Sequence, residues 1–114
     1  MVTGRNADTL ASARAALPDD VVVIRADSKS MADVERIATE ARVRFGTLGV
    51  VFINAGIGRL IPLQDVDEAT YDEYFGTYVK GPFFIVQKLM PLFEEGSSVI
   101  FNGAFGAHRG IANW

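Results

Sequence analysis

The chain has 114 residues, 49% of them hydrophobic and 22% charged, with 11 Lys plus Arg against 14 Asp plus Glu for a net charge of −3. That is apolar material for one domain, too much for wholesale disorder, and an acidic excess that disfavours a nucleic-acid partner. No cysteine is present, which excludes a disulfide framework, thiolate metal sites and a thiol nucleophile.

In chain order, Asn6 supplies an N-cap, and Leu10, Ala13, Ala16 and Leu17 recur at helical spacing, predicting a helix over 7–17 that stops at Pro18. VVVIRA at 21–26 is an uninterrupted β-branched run of the kind buried on both faces of a parallel sheet. Ser30 caps a second predicted helix whose Met31, Val34, Ile37, Ala38, Ala41 and Phe45 share one face, with Gly46 as its end. LGVVFINAG at 48–56 is the second apolar strand, running into a small-residue turn. After a loop over 57–66, Asp67 and Glu68 favour a helix start, and the helix is expected to run over 69–93, although Gly76, Gly81 and Pro82 each argue for a kink or a break. Its most apolar run, 82–93, carries Gln87 and Lys88 and falls short of the roughly 20 residues a spanning helix needs, so no membrane partner is expected. Glu94-Glu95-Gly96 is expected to close the helix, and SSVIFNG at 97–103 reads as a third strand. Strand, helix, strand, helix, strand predicts one α/β domain over 1–114 with a parallel sheet. With no secretory leader in view, a cytoplasmic location is expected.

Ligands of such sheets sit outside the carboxyl ends of the strands, which singles out Asp27, Asn54-Ala55-Gly56 and the residues from Asn102 to Gly110. A nucleotide needs small residues where backbone approaches ribose and a carboxylate where an adenine amino group points; Gly56 and Asp27 supply these. Equally open is that Asp27 caps a turn and Asn54 ties two loops together. His108, the lone histidine, reads as a loop residue beside Arg109, and Asp65, Asp67 and Asp72 read as helix-start carboxylates rather than metal ligands.

Nearly end to end, the chain resembles the inner part of the short-chain dehydrogenase/reductase family. TGRN at 3–6 is similar to the end of its second strand, RADSKS at 25–30 to its third-strand turn, and FGTLGVVFINAGIG at 45–58 to its fourth strand with the Asn-Ala-Gly motif. YDEYFGTYVKGPFFIVQKLMPLF at 71–93 resembles its interface helix and SSVIFNGAFG at 97–106 its fifth strand. The resemblance implies a Rossmann-like fold and NAD(P)(H) binding. Asp27 would meet the adenine amino group, the Ser28 backbone would lie alongside it, and Asn54, Ala55 and Gly56 would flank the ribose. Arg5 matches a position where an arginine pairs with the 2′-phosphate of NADP, and Gly4 stands where NAD-preferring members carry an acid.

Five departures qualify that resemblance. The family's Gly-rich turn and its Tyr-x-x-x-Lys pair find no match in this chain, Ala104 stands in place of the family's catalytic serine, and Tyr78 in place of its helix asparagine. Gly49 also replaces an acid. These departures predict a truncated, catalytically inactive relative with no catalytic residue of its own and at most residual NADP binding. It would act through self-association along 69–93. The alternative is one part of a working NADP-dependent oxidoreductase completed by further segments. In the family's strand order the first strand lies at the centre, so the strand at 21–26 and the other two would be separated by a two-strand gap. A family-like monomer is therefore not expected, and three arrangements are open: a rearranged compact sheet, a strand-exchanged homo-oligomer, or a piece that folds beside the rest of a larger protein.

Overall fold

A computed structural model describes residues 1–104, so the expectations for Gly106, His108, Arg109 and Gly110 lie outside the described residues. In chain order the elements are β1 (Val2–Gly4), α1 (Ala7–Ala16), β2 (Val23–Arg25), α2 (Met31–Phe45), β3 (Leu48–Ile53), α3 (Glu68–Phe75), α4 (Gly81–Leu89) and β4 (Phe93–Phe101). The helices start where the caps predict. Asn6 accepts from the Thr9 amide, Ser30 from the Asp33 amide and Asp67 from the Thr70 amide, each satisfying a donor that helix geometry leaves free. Gly46 ends α2 with φ of 70°, a conformation that costs a glycine nothing.

Strands pair in parallel, as expected, but in two separate ribbons: β1 with β2, matching Val2 to Val23 and Gly4 to Arg25, and β3 with β4, matching Val50 to Ser98 and Ile53 to Phe101. The rearranged compact sheet is therefore not adopted. The strand end that the resemblance implies at 3–6 forms a strand at Val2–Gly4 and gives β2 a hydrogen-bonded neighbour.

Helix α2 joins the two ribbons. Ile37 packs with Ile24 and Ala26 on the β2 side, while Ala38 and Ala41 pack with Leu89 and Leu92, backed by Leu48, Val51 and Ile85. Two alanines on one face let α4 lie close to α2, which excludes water from Ala41 entirely. Met31 and Phe45, at the ends of that face, remain exposed. α1 covers β1 and β2 from the other side, where Leu10 fits against Gly4; a Cβ there would lie 3.2 Å from Leu10 Cδ2.

Three local expectations are corrected. The strand over 21–26 shortens to Val23–Arg25, and the β3–β4 ribbon is not buried on both faces, since Val50 and Phe52 stay 63% and 59% exposed. The helix expected over 69–93 keeps helical backbone from Glu68 to Leu89, but its turn at Gly76–Lys80 is widened to π geometry and it ends in a 3-10 turn at Met90–Leu92. Glu94, Glu95 and Gly96 then belong to β4, not to a helix end. Gly96 has φ of 89° and sits in a bulge, across which Ser97 Oγ accepts from the Glu94 amide and donates to Leu48 O at 2.8 Å.

Candidate functional site

The strand ends place the predicted residues in two groups. Beyond β2, Asp27 Oδ1 accepts the Lys29 amide at 2.9 Å and the Asp27 amide donates to Asp33 Oδ2 at 2.9 Å. That amide is the main reason the Asp33 carboxyl lies below its ordinary range, with the Arg36 hydrogen bond at 2.6 Å adding to it. Asp27 thus does cap its turn, while its Oδ2 has no partner among the described residues. The turn is pressed by the helical segment at two glycines: a Cβ at Gly81 would lie 2.9 Å from the Ser28 carbonyl oxygen, and one at Gly76 would lie 3.0 Å from Lys29 Cδ. So these glycines permit close approach of helix to loop, a role other than the kink or break expected of them.

Beyond β3 and β4, Asn54 Oδ1 accepts from Asn102 Nδ2 at 2.7 Å, and the Asn102 amide donates to Ile53 O at 2.9 Å. Asn54 does tie the two strand ends together. Asn54, Ala55 and Gly56 line a cleft of about 430 Å³ whose other walls are Ile57, Gly58, Tyr74, Tyr78 and residues 102–104. Arg5, Asp27 and Ser28 are not among its walls.

Two phenols anchor the loop that follows Gly56. Tyr78 accepts the Ile57 amide at 2.8 Å and donates to the Ile57 carbonyl; Tyr74, four residues earlier, accepts the Arg59 amide at 2.8 Å and donates to the Arg59 carbonyl at 3.3 Å. Each hydroxyl is both donor and acceptor, so each engages both polar groups of one loop residue. Gly56 is needed for this, because a Cβ there would stand 3.0 Å from the Tyr78 hydroxyl. The Arg59 side chain extends the clasp, meeting Glu73 Oε2 at 2.8 Å, while Arg5 reaches Oε1 of the same carboxylate at 3.3 Å. Partial desolvation works against ionising Glu73, but the Arg5 hydrogen bond and the Arg59 charge outweigh it and hold the carboxyl below its usual range. Arg5, expected at a 2′-phosphate, is therefore paired within the chain.

Tyr74, Glu73 and Arg59 were not singled out by sequence. The four-residue spacing of Tyr74 and Tyr78 could have marked the two phenols as one face; nothing local marks Glu73, whose partner Arg5 is 68 residues away. Among the described residues no group of three or more His, Cys, Asp or Glu is placed to hold a metal, and no helix is long and apolar enough to cross a membrane.

The sequence profile of the short chain dehydrogenase family matches residues 1–113. The chain belongs to this family. Among curated family relatives, an oxidoreductase from Sarocladium schorii, asL5, is 31% identical over 111 residues, which is 96% of this chain and 45% of that protein. Sepiapterin reductase from Chlorobaculum tepidum is 40% identical over 75 residues, 66% of this chain and 31% of its own length. The chain thus spans less than half the length of these relatives. A short-chain dehydrogenase/reductase structure from Brucella melitensis superposes with a TM-score of 0.87 at 24% identity, covering 96% of this chain and 47% of that one, and so shows the Rossmann-like fold. A blue fluorescent protein from a metagenomic library, solved in complex with NADPH, superposes with a TM-score of 0.85 at 27% identity over 94% of this chain and 46% of that one. The two ribbons therefore hold the spacing they have in the larger fold instead of closing on each other.

Proposed function

We propose that this chain binds the adenosine part of NADP(H), that its own residues transfer no proton, and that it acts through nucleotide binding and self-association. The observation that carries this reading is the bonding of Tyr78. It stands where the family resemblance places an asparagine, and both its donor and its acceptor are engaged by the Ile57 backbone. Ala104, in the same cleft, has no polar side-chain atom to orient a carbonyl. The cleft therefore has room for a ligand beside Asn54, Ala55 and Gly56 and, among the described residues, offers no free acid or base.

The residues fit the adenosine end of the cofactor. Among the described residues Asp27 keeps one carboxylate oxygen without a partner, the Ser28 backbone adjoins it, and Arg5 is a guanidinium suited to a phosphate. The nicotinamide of such a cofactor exchanges a hydride when bound; the present residues would hold and orient its other end. Self-association is supported by Tyr71, Phe75, Val79 and Phe83, which recur every four residues along α3, the π turn and α4 and are 52%, 48%, 55% and 62% exposed. A second copy of the same stripe would cover them.

Calorimetric titration with NADPH, with NADH as control and Arg5→Ala as the variant, tests the reading. Saturable NADPH binding weakened by Arg5→Ala is expected, together with a dimer in sedimentation velocity. No heat at millimolar cofactor from a folded sample would overturn the cofactor part, and a monomer at all concentrations the association part. A second reading, one portion of an NADP-dependent oxidoreductase, is favoured by the superposition on an NADPH complex of which this chain covers 46%. That reading predicts turnover once the remaining segments are supplied, and Tyr78→Asn with Ala104→Ser should raise it.

A further inference from the structure

Two guanidiniums from separate segments hold one anion. Arg5 follows β1 and Arg59 lies in the loop after β3, both meet the Glu73 carboxylate, and the side chain of Lys29, in the turn after β2, lies against Gly76 one turn further along the same helix. In a chain whose net charge is −3, this spot carries an excess of positive charge. A carboxylate offers two oxygens and one charge, whereas a phosphomonoester offers three oxygens and a charge of about −1.5 to −2 at neutral pH. Both guanidiniums are 49% exposed, so the Glu73 pairs are screened and weak enough to exchange.

We propose that Glu73 is a built-in competitor for a phosphomonoester: it holds the Arg5–Arg59 pair until a phosphate dianion displaces it, so that Glu73 and Arg59 set the preference for a 2′-phosphorylated adenosine. The assignment of the ligand as an adenosine rests on the function proposed above; the anion site itself does not. Arg59 gains a role here that its place in the chain does not suggest, because the tyrosine clasp fixes its backbone and its side chain then points to the carboxylate shared with Arg5.

The test uses adenosine 2′-monophosphate, unphosphorylated adenosine and inorganic phosphate as separate probes of the whole chain, with Glu73→Gln and Arg59→Gln as variants. Competition predicts opposite signs: Glu73→Gln binds the monophosphate up to about fivefold tighter and Arg59→Gln up to about fivefold weaker, with adenosine affinity unchanged in both. A carboxylate that only braces the loop predicts that both variants weaken every adenosine ligand, and that result would overturn the proposal. So would equal changes for adenosine and its monophosphate. If the chain takes no adenosine but Glu73→Gln tightens inorganic phosphate, followed through the Arg5 and Arg59 side-chain NMR signals, the anion site stands and the adenosine reading fails. No phosphate response in the parent or in Glu73→Gln overturns the proposal.

Discussion

Replacing Gly81 by alanine should destabilise the chain although it adds a better helix former. Gly81 opens α4, and in a helix interior Gly→Ala ordinarily gains about 1 kcal/mol. Here the new methyl would lie 2.9 Å from Ser28 O, 3.0 Å from Ser28 Cβ and 3.1 Å from Gly76 O. Two of those atoms are backbone oxygens that cannot rotate away, so the overpacking falls in the upper part of its usual range of about 1–3 kcal/mol. The net expectation is a loss of about 1–2 kcal/mol. Gly76→Ala is the matched control: its methyl would meet only Lys29 Cδ and Cγ, at 3.0 and 3.1 Å, and that flexible side chain can swing out. It should therefore keep most of the helical gain, about 0.5–1 kcal/mol. Urea unfolding followed by far-ultraviolet circular dichroism reads both, with the midpoint of Gly81→Ala about 1 M below that of the parent at unchanged slope. A Gly81→Ala midpoint at or above that of Gly76→Ala would show that the 27–29 turn yields, and the close-approach argument would fail. Since the same methyl displaces Ser28, NADPH affinity should fall in Gly81→Ala and not in Gly76→Ala.

Other expectations follow from the same contacts. Tyr78→Phe removes the bonds to Ile57 and should cost about 1 kcal/mol locally, seen as about fivefold faster hydrogen exchange at the Ile57 amide; no change would mean the loop is held by something else. Leu89→Ala, at a position 4% exposed between Ala38, Ala41 and Leu92, should lower stability by about 2–5 kcal/mol, and a loss well under that would show that α2 and α4 close the gap. Asp33, Asp67 and Glu73 all have lowered pKa values in the folded chain. Lowered folded values mean that their contribution is complete above about pH 5 and is lost as pH falls through those values, so the urea midpoint should drop on acidification. Asp33→Asn should make that drop shallower; an identical profile would remove Asp33 from the account.

How much of the site was legible depends on how local its causes are. The motif Asn54-Ala55-Gly56 and the carboxylate of Asp27 stand at strand ends because chain order puts them there, and their companion Asn102 follows the next strand for the same reason. Both plain alternatives, a turn cap at Asp27 and a tie between loops at Asn54, describe contacts that exist in the fold. What the pattern could not reveal is that the small size of Gly56 accommodates Tyr78, or that Arg5 is paired to Glu73.

The sequence by itself determined the helix starts at Asn6, Ser30 and Asp67, the stop at Gly46 and the alternation of strand with helix, because a cap or a hydrophobic period acts over three or four residues. It determined the family as well, through motifs spread from Thr3 to Gly106. Only the tertiary structure decided that one face of α2 holds the two ribbons, that the long helix widens to a π turn at Gly76–Lys80, and that β4 takes in the bulge at Gly96. It also decided that two phenols and one carboxylate bind a loop to a helix. Those outcomes depend on contacts between residues up to 68 positions apart, whose energies are settled by what the folded chain brings together and leave no period or cap in the local sequence.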